Sequence, residues 1–124
     1  MILNLMKSIC IFYFSFLTVV AIHSNPNHKL TESDKIQFLL NELDKPNSNL
    51  RFIRNGIEYS GKEAKDHMQK KLDYAGNKIK TVEDFINQIA TKSSITSNLY
   101  YILFPNGTKM ESAKWLRQTL KDIE

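Results

Sequence analysis

The dipeptide Asn55-Gly56, set between Leu50-Arg51-Phe52-Ile53-Arg54 and Ile57-Glu58-Tyr59, constrains this chain more tightly than any other stretch. Asparagine and glycine tolerate the positive φ that both central positions of a two-residue type I′ turn require, so the flanking runs are the arms of a β-hairpin. Period-2 alternation places Leu50, Phe52 and Arg54 on one face and turns Arg51 and Ile53 to the other. Arginine on the core-side face beside phenylalanine needs a polar partner.

Helical periodicity surrounds the hairpin. Leu30 to Lys45 predicts a helix capped by Thr31, with Ile36, Leu39, Leu40 and Leu43 on one stripe and Pro46 blocking continuation. Ser60-Gly61-Lys62-Glu63 reads as a capping box that opens a second helix, whose inward face is Ala64, His67, Met68 and Leu72 with Lys71 at its edge. That helix stops at Gly76. Thr81 caps a third, burying Val82, Phe85, Ile86, Ile89 and Ala90. Thr91 to Asn98, rich in hydroxyls, is expected to be a loop held by its own side-chain hydrogen bonds.

Leu99 to Phe104 is a strand by its aromatic and branched content, and Pro105-Asn106-Gly107-Thr108 is a turn. Ser112 is read as the cap of a last helix carrying Ala113, Leu116, Leu120 and Ile123 on one face. The expected class is α+β: a small antiparallel sheet, made of the hairpin plus one later strand, packed with about four helices.

The amino terminus differs from all of this. Lys7 precedes the apolar run Ile9 to Ile22, which is interrupted by Ser15 and Thr18 and falls short of the about 20 residues a spanning helix needs. The pattern reads as a signal peptide over residues 1–24, with cleavage between 21 and 25, followed by one domain over 25–124. The expected location is periplasmic or secreted, without stable membrane insertion after cleavage.

Processing there would remove Lys7 and Cys10, leaving 16 basic against 13 acidic residues and no cysteine for a disulfide. Lys70-Lys71 is the only adjacent basic pair, and acids interleave elsewhere. Nucleic-acid binding, which wants a basic stripe with aromatics, is a poor fit. No cofactor is called for by any motif. Glu63 and His67 can share a helix face, but two ligands fall short of a zinc site.

Several spacings are shared with a known family: Phe52, Arg54, Asn55, Gly56 and Tyr59; then Glu63, Ala64, His67, Met68 and Lys71; then Thr81, Glu83, Phe85 and Ile86; then Ala90, Ser93 and Ser94. In these, from about Thr31 to Trp115, the chain resembles the YfeK-like family, small exported proteins of proteobacteria with a domain of unknown function. The resemblance implies export and a fold, and no activity. The chain departs from the family pattern after the serines, where Ser97 and Leu99 stand in place of a glycine and a proline.

Arg54, His67, Lys71, Ser93 and Ser94 are the matched polar residues that architecture explains least. One reading is a network pinning hairpin, helix and loop, satisfied internally with Glu63. A second is a binding site in which arginine, lysine and hydroxyls hold the carboxylate or phosphate of a small ligand, or an envelope protein. The preferred function is non-covalent binding, as an accessory module of the cell envelope. The alternative is a small hydrolase with Ser94 or Ser93 as nucleophile, His67 as base and Glu63 orienting it. Against it, Glu63 is claimed by the capping box and no Gly-x-Ser-x-Gly elbow occurs. Tyr74, Tyr100, Tyr101 and Trp115 are candidates for a partner surface, though aromatics at such spacings usually belong to a core.

Overall fold

A computed structural model describes residues 28–124, and the expected signal peptide over 1–24 with its cleavage point lies outside the described residues. The elements are α1 (Glu32–Leu43), β1 (Arg51–Arg54), β2 (Ile57–Ser60), α2 (Gly61–Ala75), α3 (Val82–Asp84, continued as a π-helical turn over Phe85–Ile89), β3 (Tyr101–Leu103), β4 (Lys109–Glu111) and α4 (Ser112–Leu120). The class is α+β, with an antiparallel sheet in the order β2-β1-β3-β4.

The hairpin forms as its turn dictates. Asn55 and Gly56 both have positive φ, 50° and 76°, and Phe52 pairs with Tyr59 across the turn. On the other side Phe52 faces Ile102, which faces Met110, so these four side chains share the helix-covered face. The strand β4 is a correction to the expected three-stranded sheet. Lys109-Met110-Glu111 is too short and too charged to announce itself, and it extends because the turn at Gly107 (φ 85°) aims it back along β3.

Helices α2 and α4 lie against the strands, and α1 and α3 pack against those two helices and each other. Leu39, Leu40, Phe52, Met68, Phe85, Ile86, Ile102 and Leu116 meet in one core, where each such side chain contributes roughly 1.5–3 kcal/mol by burial. The capping boxes at Thr31, Ser60 and Thr81 are all closed. Gly61 opens α2 where α1 ends, and a Cβ there would overlap the Leu43 carbonyl oxygen, so the two helices approach this closely only across a glycine.

Two expectations about helix ends are corrected. The third helix does not continue as a regular α-helix: Ala90 N–H donates to Phe85 C=O, a π-type bond. The wider turn buries Phe85, Ile86, Ile89 and Ala90 together, a broader face than an α-helix presents. Ser112 is not the cap of α4. Glu111 takes that position without a side-chain bond, while Ser112 is fully buried, donates its N–H to Tyr100 C=O at 2.9 Å and leaves its hydroxyl without a partner.

Candidate functional site

The site is built where β1, α2 and the start of β3 meet. Alternation does carry Arg54 onto the helix-covered face, and residues 63, 67 and 70, spaced by four and three, turn Glu63, His67 and Lys70 the same way on α2. Arg54 Nη1 lies 3.1 Å from Nδ1 and 3.3 Å from Nε2 of His67. Nε2 in turn lies 3.2 Å from the Tyr100 hydroxyl. A guanidinium only donates, and its charge against both ring nitrogens favours the neutral imidazole over the imidazolium. Lys71 can only donate to the Tyr100 hydroxyl, and the tautomer of His67 sets which ring nitrogen carries the proton.

Lys71 completes the chain from the other side. Its ammonium donates to Ile89 C=O at 2.8 Å, Lys92 C=O at 3.2 Å and the Tyr100 hydroxyl at 3.4 Å. Three N–H groups therefore meet three acceptors, one of them the Ile89 carbonyl at the end of α3, where a cation is favoured by the helix dipole. The ammonium also sits 5.1 Å from the centre of the Tyr100 ring.

Burial lowers the pKa of His67, and the nearby positive charges of Arg54, Lys71 and Lys70 lower it further. The Lys71 amine is likewise pushed down by burial and then by Arg54. Burial raises the Tyr100 phenol, with Arg54 opposing. Among the described residues no carboxylate lies within ion-pair distance of Arg54 or Lys71.

Arg54 and His67 open onto a recess of about 290 Å³. Phe52, Tyr59 and Ala64 form its apolar wall, and Glu63, Asp66 and Lys70 supply the remaining charges. The Arg54 guanidinium stands 5.8 Å from the centre of the Tyr59 ring, so stacking and the His67 bond together fix its direction. Apart from the Nη1 contact with His67, the Arg54 side chain donates to no group among the described residues.

The expected convergence of arginine, lysine and serines on one pocket is not what the fold delivers. Lys71 and Ser94 line a second recess, of about 200 Å³, with Tyr74 and Ile89. The His67–Tyr100–Lys71 chain runs between the group facing Arg54 and the group facing Ser94. Ser93 is buried, and its hydroxyl accepts from Ile95 N–H and Thr96 N–H at 3.3 Å each, closing the hydroxyl-rich loop. Glu63 accepts from Ser60 N–H at 2.7 Å, as the capping box demands. Neither serine hydroxyl is hydrogen-bonded to His67.

Sequence reasoning missed Tyr100 as the centre of the network. The phenol, 1% exposed, binds both His67 and Lys71. A tyrosine opening an apolar strand reads as core, which its ring is, packed 5.0 Å from Phe52; the hydroxyl's role depends on α2 crossing over it. Asn55 also does more than turn the chain. Its side-chain oxygen accepts from Thr96 Oγ1 at 2.6 Å and Asn98 Nδ2 at 3.2 Å, tying the hairpin tip to the loop.

With that geometry established, residues 30–124 match the profile described as Family of unknown function (DUF5329). The chain belongs to this family. The chain is also similar to the "Uncharacterized protein YfeK" of Salmonella typhimurium, 39% identical over 69 residues. That stretch is 56% of this chain and covers 57% of the relative's length. The resemblance expected from the spacings of Phe52 to Ser94 is thus shown. No solved structure matches the chain. Among the described residues of this DUF5329 chain, no helix is long and apolar enough to cross a membrane.

Proposed function

We propose that the protein is an exported, single-domain binding module of the cell envelope, periplasmic or secreted, whose first recess holds the anionic group of a small ligand. The observation that carries this is the state of Arg54: half-buried, oriented by Tyr59 and a neutral imidazole, and without a carboxylate partner among the described residues. A guanidinium in a partly desolvated recess binds a carboxylate or phosphate strongly because both partners meet in a fixed fork geometry. Export rests on the amino-terminal pattern of Lys7 and the apolar run to Ile22, with the folded domain over 25–124.

An NMR titration of the chain with benzoate and with inorganic phosphate tests the binding. The reading expects shifts concentrated at Arg54, Tyr59, His67 and Lys70. Shifts scattered over surface lysines, or none, would count against it. Expression in a proteobacterial host with intact-mass analysis tests the export, the expected chain starting between residues 22 and 25.

A further inference from the structure

The charges around the first recess cancel. Arg54 and Lys70 are cationic, Glu63 and Asp66 anionic, and His67 is neutral. A site evolved for a plain anion gains nothing from two carboxylates, each of which repels the ligand; a neutral site with separated signs suits a molecule carrying both. The separation runs along α2. Glu63 lies one turn before His67 and the Arg54 guanidinium that His67 holds, which at the α-helical rise is roughly 6 Å along the axis.

Both carboxylates are kept ionised by bonds of their own. Glu63 accepts from Ser60 N–H and Asp66 from Lys62, at 2.8 Å, and those bonds lower both pKa values. In each carboxylate these bonds fall on one oxygen, Oε2 and Oδ2, so each group keeps capacity to accept from a ligand cation.

We propose that the recess binds a small zwitterion of the amino-acid type, its carboxylate on Arg54, its ammonium toward Glu63 and Asp66, and its apolar side group against Tyr59 and Phe52. This rests on the anion-holding reading of Arg54 and goes beyond it by requiring the second charge. One carboxylate and one ammonium about 2–3 bonds apart, each at hydrogen-bond distance from its partner, span the interval that one helical turn sets. The recess of about 290 Å³ has room for a molecule of that size.

The test uses three ligands of one shape: L-phenylalanine, 3-phenylpropanoate, which lacks the ammonium, and phenethylamine, which lacks the carboxylate. Titration calorimetry on the full chain is expected to rank phenylalanine at least about tenfold tighter than either, the loss that follows from removing one charge-assisted bond. Glu63→Gln keeps the capping box, since glutamine serves there as well, and together with Asp66→Asn is expected to bring phenylalanine down to the level of 3-phenylpropanoate. If 3-phenylpropanoate binds as tightly as phenylalanine, the zwitterion is wrong while the anion reading stands. If no ligand binds, or only phenethylamine does, both are wrong.

Discussion

Arg54 Nη1 lies 3.1 Å from Nδ1 and 3.3 Å from Nε2 of His67, a cation set against an imidazole, which disfavours charge on the ring. Burial and the neighbouring cations disfavour a second proton there. Arg54 approaches from β1, Lys70 and Lys71 from α2, and the phenol of Tyr100 from the start of β3.

Stability should therefore fall on mild acidification. The folded-state pKa of His67 is lowered from 6.5, so below that value the unfolded chain takes up a proton that the folded ring refuses. The contribution is complete above pH 6.5 and declines as the pH falls through 6.5 toward the lower folded value. Carboxylates with lowered pKa values act in the same direction, but only below their ordinary 4.5 or 3.8. Urea melts from about pH 7 to 5 should show the slope, and His67→Gln should flatten it. A flat wild-type profile would contradict the neutral-ring arrangement.

Lys71 and Lys70 are neighbours in sequence and should behave oppositely. Lys71→Met leaves two carbonyls and a buried phenol without their donor, a loss of about 1–3 kcal/mol in a denaturant melt. Lys70→Ala, at the exposed rim of the first recess, should change stability by no more than about 0.5 kcal/mol. Equal effects would place Lys71 outside the architecture.

Gly61→Ala drives a methyl group into the Leu43 backbone where α1 and α2 meet. Alanine is the better helix former, so propensity alone predicts a gain. Backbone overlap should win, with a cost of about 1–3 kcal/mol. A variant that melts higher than wild type would show that the two helices can separate freely.

Ser112→Ala removes a buried hydroxyl that has no partner. The expected result is no loss, and a gain of up to about 1 kcal/mol, because an unsatisfied buried polar group costs free energy that alanine does not incur. A clear loss of thermal stability would mean that the hydroxyl is bonded.

Much of this fold is legible in the sequence because its signals are local. Asn55-Gly56 specifies the turn by backbone sterics alone, and the Ser60–Glu63 pair specifies the start of α2 by satisfying its own amides. What was not legible depends on other segments. β4 exists because β3 is beside it, the π turn of α3 exists because four apolar side chains must reach one core, and Ser112 lost its capping role when the helix began one residue earlier.

The candidate site divides the same way. Alternation and helical spacing brought Arg54 and His67 to a common face, because one hairpin and one adjacent helix decide it. Polarity groups Ser93 and Ser94 with them, yet the loop turns Ser93 onto its own amides and Ser94 to the far recess. Tyr100 joined the cluster through contacts 33 and 29 residues distant in sequence, to His67 and Lys71, which no periodicity encodes.

The central claim is that Arg54 holds a ligand's anionic group, and Arg54→Gln tests it most directly. Affinity for 3-phenylpropanoate should be measured by titration calorimetry on wild type and variant, with melting curves recorded beside it. The account predicts at least about a tenfold loss of affinity, the usual scale for a charge-assisted bond, in a variant that still melts as a folded protein. Unchanged affinity in a folded Arg54→Gln would contradict it.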